Sequence, residues 1–193
     1  MGTRSLIAIW LDNTYKLAQF CQFDGYPGGI GLECLTFLRR KMDIEQFKQA
    51  LRNTRFASKD YIHQAWLECG ADEEGCLDWN GSVLMTKKYP QFSRYTGAKI
   101  LSFIQLHPEG IMAENSVAFA ADGLLCNWAW VIDFDQMAFE AYKGGSKVPL
   151  SDDERFAFLR DFETGGYSAV KLVASFSLLR LPSKEAFLAV FDK

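Results

Sequence analysis

The sequence predicts an α+β fold: a mostly antiparallel sheet with an N-terminal hairpin, a helical middle segment at about 32–106 and C-terminal strands. Three observations lead there. Residues 4–23 hold two runs of β-forming residues around Asp12-Asn13, residues 32–106 carry helical spacing with caps and breakers, and apolar strand patterns return after residue 116. At 193 residues, 49% hydrophobic and 15% aromatic, the chain reads as one domain over 1–193. A chain of this mass buries roughly 70% of its unfolded surface, enough for a substantial core. Disorder, collagen and low complexity are excluded by the same composition.

Taken in order, Arg4–Leu11 and Thr14–Phe23 form the hairpin, pairing Trp10 with Tyr15, Leu6 with Gln19 and Arg4 with Cys21. Both faces are apolar near the turn, so the hairpin is expected to be covered on both sides. Asp24–Gly31 is a glycine-rich turn. Helices are expected at Leu32–Arg40, then after Asp43 as cap with Gln46 closing the box, and at Ser58–Glu68, ended by Gly70. Ala71–Gly81 is an acidic loop. Ser82–Tyr89 and Gly97–Leu106 look helical, divided by Pro90. Strands are expected at Ser116–Ala121, Leu124–Asp133, Met137–Tyr142 and Ala169–Leu178. Ser151 to Glu154 reads as a capping box for a helix to about Asp161, and Ser183 as the cap of a last helix.

Charge and cysteines narrow the function. With 21 basic and 24 acidic residues the net charge is −3, which disfavours duplex nucleic acid as a ligand but leaves room for a small anion. Cys21, Cys34, Cys69, Cys76 and Cys126 are an odd number without C-x-x-C spacing, so reduced thiols in a cytoplasmic protein are expected, with no metal site. No run approaches the roughly 20 apolar residues a membrane span needs, and Asp12 stops the apolar stretch Leu6–Leu11 before it could act as a signal peptide.

Thr3, Arg4, Gln19, Gln22 and Asp24 gather at the open end of the expected hairpin. Beyond them Gly28, Gly29 and Gly31 lead into a helix start, where backbone N–H groups with an arginine form an anion site and Tyr26 offers a ring for stacking. The same glycines also serve a tight strand-to-helix turn. No Walker or dinucleotide fingerprint is present, so no cofactor is implied. Arg94, Thr96 and Lys99 form a second basic turn, with Thr96 as the expected helix cap. His63 and His107 fit no catalytic or metal spacing, and the sequence assigns no catalytic residue.

A terminal hairpin followed by helices and further strands resembles amino-terminal nucleophile hydrolases, which implies an αββα sandwich as one arrangement. Removal of Met1 would leave Gly2, which has no side chain to act as nucleophile. A second resemblance covers most of the chain. Met1-Gly-Thr-Arg4 and Gln22-Phe-Asp-Gly-Tyr-Pro-Gly-Gly-Ile-Gly31 resemble a family of uncharacterised phage, bacterial and fungal proteins with an MGTR start and a Q-W/F-D-G-Y-P-x-G-x-G loop. Arg94–Leu101 looks like that family's R-D-T-G-A-K-I-L turn, with Tyr95 in place of the acid; Trp128–Gly144 and Leu178–Phe187 resemble its later motifs. No activity comes with this resemblance.

The expected function is therefore binding of a small anionic ligand, such as a nucleotide or nucleotide-derived signal. Two alternatives stand beside it. One is a protein-interaction module or inhibitor of a host enzyme, acting through Asp72-Glu73-Glu74; the other is a hydrolase using Cys21, Thr3 or Asp24.

Overall fold

The computed structural model describes residues 2–40, 43–72, 74–162 and 165–192. Its centre is a five-stranded sheet in which β1 (Ser5–Leu11) lies between β2 (Thr14–Cys21) and β5 (Trp128–Asp133), followed by β6 (Ala138–Lys143) and β7 (Lys171–Ser177). Only β1 and β5 run parallel in this sheet, so the fold is α+β and mostly antiparallel, as expected. Two short strands, β3 (Arg55–Phe56) and β4 (Met112–Ala113), form a separate parallel ladder.

One face of the sheet carries Ile7, Ile9, Leu17, Trp130, Ile132 and Phe139. Against it pack α1 (Leu32–Arg39), α2 (Ile44–Asn53), α5 (Lys99–Gln105) and α6 (Lys184–Ala189). Trp130 anchors this side: it is fully buried, stacks on Trp128, touches Phe139, Phe187 and Phe191, and donates its indole N–H to Gly25 O at 2.9 Å. Leu6, Ala8, Ala129, Val131 and Tyr142 form the other face, covered by the 3₁₀ turns Val117–Ala121 and Ala157–Phe162. With helices on one face and irregular turns on the other, the αββα sandwich does not form; no second large sheet stacks on the first among the described residues. α3 (Lys59–Glu68) and α4 (Trp79–Lys88) share a small core of Ala65, Cys69, Met85 and Phe92.

Asp43 and Ser183 cap as expected, accepting N–H bonds from Gln46 and Ala186, and Ser58 does the same for α3 by accepting from Tyr61 N–H. The differences have local causes. A bulge between Ile9 and Trp10 shifts the hairpin register, so Leu6 faces Phe20, Ile7 faces Gln19 and Ser5 faces Cys21. β1 is central, while β2 is an outer strand. Val117–Ala121 curls into a 3₁₀ turn because Ser116 N–H bonds Ala18 O and Ala120 O accepts from Val170, leaving no ladder to extend. Thr96 does not cap α5; its hydroxyl donates to Pro90 O at 2.6 Å. Asp78 caps α4, which starts at Trp79, earlier than the sequence suggests. Glu154 reaches back to Ser151 N–H, but the turn that follows is 3₁₀. Among the described residues no helix is long and apolar enough to cross a membrane.

Candidate functional site

Parallel pairing of β1 and β5 brings Arg4 and Asn127 side by side at the entry to the sheet, where Arg4 N–H donates to Asn127 Oδ1 at 3.0 Å. Lys143 ends β6 opposite Trp128 and holds its ammonium 5.5 Å above that ring. The chain then turns through Gly144, whose N–H bonds Asn127 O, and Gly145, whose N–H bonds Gly123 O. A Cβ on Gly144 would meet Cys126 O at 2.2 Å, so the close backbone approach requires glycine there. These elements enclose a cleft of about 670 Å³ whose lining includes Thr3, Arg4, Leu124, Leu125 and Lys143. Among the described residues two cations line it and no carboxylate does. Among the described residues neither Arg4 nor Lys143 forms a salt bridge.

The glycine-rich loop sits differently. Gly29 N–H donates to Tyr26 O, Ile30 N–H to Asp24 O and Leu32 N–H to Gly29 O, so these amides are spent inside the loop. Asp24, exposed and at φ +56°, makes the tight turn, while a Cβ on Gly29 would meet its carbonyl at 2.2 Å. Tyr26 is exposed beside Gly28, and Gly31 lies against the Trp130 ring. Gly29 and Gly31 therefore serve close packing.

Gln19 and Arg94 meet in a second pocket of about 220 Å³, with Phe20, Trp66, Glu114 and Phe119. Gln22 N–H donates to Arg94 O at 3.0 Å, tying the Arg94 turn to the end of β2. The Arg94 guanidinium lies 6.0 Å above the Trp66 ring. Burial pushes the Glu114 carboxyl above its ordinary pKa. Lys99 is exposed at the start of α5 and, like Asp24, Tyr26, Gly28, Gly29 and Thr96, lines neither cavity.

At the far ends of β1 and β5 lies a third cleft, of about 710 Å³, in which Asp133, Asp135, Glu140, Asp153 and Glu154 outnumber Arg155. Arg155 donates to buried Asp133 and, at 2.9 Å, to Glu140, which also accepts from the Tyr142 hydroxyl. Burial by itself lowers the Arg155 pKa, but the Asp133 hydrogen bond and the Glu140 charge outweigh it and the net shift is upward. Burial pushes Tyr15, beside this cluster, up to about 12.

Sequence reasoning missed Lys143, Glu114, Trp66 and Arg155. The Gly144-Gly145 pair after a strand was a signal for the first cleft, and the charge of Glu140 inside an apolar strand was one for the third. Cys21 is buried and its thiol is pushed up to about 12, so it is a poor nucleophile. His63 is exposed on α3, and His107 pairs Nδ1 with Phe103 O. Among the described residues no group of three or more His, Cys, Asp or Glu is placed to hold a metal. No family model, curated protein or solved structure matches the chain.

Proposed function

We propose that the protein binds a small organic anion, such as a nucleotide or nucleotide-derived signal, in the cleft at the start of β1 and β5. The observation that carries this reading is that Arg4 and Lys143 line one cleft, which among the described residues holds no carboxylate and in which neither cation has a salt bridge. An anion there meets two positive charges and no opposing one, and half-exposed Leu124 and Leu125 offer an apolar wall for the rest of the ligand. Thr3 and Arg4 belong to the site foreseen at the hairpin's open end; the glycine-rich loop supports it from behind through Gly25 N–H to Thr3 O at 2.8 Å. Capture needs no catalytic base.

Native mass spectrometry of the purified protein tests this. A stoichiometric anionic adduct is expected, and Lys143→Ala should lose it while keeping the wild-type circular dichroism. An adduct retained by Lys143→Ala and by Arg4→Ala contradicts the reading.

A protein-interaction role is the second reading, favoured by Trp79, 77% exposed beside Val83 and Tyr95. It uses an apolar patch next to the acidic loop, of which Glu73 lies outside the described residues. Proteins retained on the immobilised chain should be lost with Trp79→Ala; an unchanged set contradicts this reading.

A further inference from the structure

The Arg4–Lys143 cleft also holds neutral hydrogen-bond donors without acceptors. Arg4 N–H donates to Asn127 Oδ1 at 3.0 Å, and a backbone N–H can face only the carbonyl end of that amide. The contact fixes the orientation of the Asn127 side chain and leaves Nδ2 as its free end. Among the described residues this NH₂ group donates to nothing. It is not one of the buried atoms left without a partner, so it keeps accessible surface, on a residue that lines the cleft.

Trp128 repeats the pattern. The residue is 9% exposed, with its ring stacked on Trp130 and lying under the Lys143 ammonium. Trp130 donates its indole N–H to Gly25 O. The Trp128 indole N–H has no acceptor among the described residues, and it too keeps accessible surface on a residue that lines the cleft. An indole N–H is a donor only, and on a buried ring it is ordinarily bonded.

Charge and donors together limit the ligand. Arg4 and Lys143 supply two cations, Asn127 and Trp128 two neutral N–H groups, and among the described residues the lining holds no carboxylate. A carboxylate or a phosphodiester brings one negative charge and two free oxygens. A phosphate monoester brings roughly two charges at neutral pH and three free oxygens, all of them strong acceptors. The monoester alone of these matches both cations and leaves an oxygen for the neutral donors.

We propose that the cleft recognises the terminal phosphate of a monoester, held by the Arg4 guanidinium and the Lys143 ammonium, with Asn127 Nδ2–H and the Trp128 indole N–H as neutral donors. This rests on the anion-binding reading and narrows its ligand to a free terminal phosphate, selected over a diester of the same nucleoside. Asn127 sets that choice, because its amide offers a donor where an acid of the same shape would repel the anion.

Calorimetric titration of the full chain with adenosine 5′-monophosphate and with its phosphate methyl ester tests it. The monophosphate is expected to bind. The methyl ester has the same base and sugar but lacks one charge and one free oxygen, and should bind at least about tenfold more weakly. Asn127→Asp keeps Oδ1 for Arg4 N–H and replaces the donor with an anion. It should bind the monophosphate at least about tenfold more weakly while melting no lower than the wild type. Trp128→Phe keeps a ring and removes the N–H, and should weaken the monophosphate about threefold. A methyl ester bound as tightly as the monophosphate, or a monophosphate bound equally by Asn127→Asp and wild type, overturns the proposal. Absence of monophosphate binding at millimolar concentration overturns it as well. Inorganic pyrophosphate then separates the two claims: bound by the wild type, it leaves the anion site standing on Arg4 and Lys143; unbound, both fall.

Discussion

Arg155 illustrates how much can rest on one side chain. It lies between two buried carboxylates on neighbouring strands, Asp133 and Glu140, and its plane also covers Trp10 at 5.7 Å. Arg155→Ala would leave both acids buried and unpaired, and should destabilise the protein by about 3–5 kcal/mol in urea unfolding. A loss below about 1 kcal/mol would mean that water already compensates the acids. The thiols give a second residue-level expectation. Four of the cysteines are buried and Cys76 is exposed, with burial raising Cys21 to about 12 and pushing Cys34 and Cys126 well up too. Native titration with a thiol reagent should count one fast thiol, and the remaining four should react only after denaturation. The Arg155 partnership was hidden in the sequence because Glu140 and Arg155 meet only once the β5–β6 hairpin and the returning segment are both in place.

Elements were legible where local chemistry decided them. The hairpin turn at Asp12-Asn13, both residues at positive φ, and the side-chain caps at Asp43, Ser58 and Ser183 follow from short-range hydrogen bonding. What failed depended on neighbours far along the chain. No single-strand pattern announces the bulge that turns Gln19 toward Ile7, yet that one-residue shift decides which pocket Gln19 lines. Residues 117–121 have strand-like composition but become a turn, fixed by Ser116 N–H on Ala18 O just before it and by Val170 N–H on Ala120 O within it. Gly31 offers a test in which propensity and packing oppose each other. It sits at helical φ/ψ before α1, where alanine is intrinsically better, but an added Cβ would stand 2.5 Å from the buried Trp130 ring. Gly31→Ala should therefore destabilise by about 1–3 kcal/mol; a stabilising result would mean that the ring yields freely.

At the scale of the molecule, the parallel β1–β5 pair sets two contrasting ends. Arg4 and Lys143 make one end positive, and the carboxylates around Arg155 make the other negative, roughly 20 Å away along the strands. A formal charge of −3 hides this division, which explains why composition leaves room for a small anion while disfavouring duplex nucleic acid. Of the eleven foreseen site residues, Thr3 and Arg4 fall in the positive cleft, Gln19 and Arg94 fall in a separate pocket, and the other seven line neither. Sequence proximity at the hairpin's open end could not separate them, since the strand pairing of β5 and β6 supplies Asn127 and Lys143 to only one of the two.

Titration of inorganic pyrophosphate into the wild-type chain and into Arg4→Ala/Lys143→Ala, at low and at raised salt, tests the central claim most directly. Binding to the wild type should weaken as salt screens the two cations, and the double variant should bind at least about tenfold more weakly at an unchanged melting temperature. Equal binding by the double variant, or no binding by the wild type at millimolar pyrophosphate, would contradict an anion site built on Arg4 and Lys143.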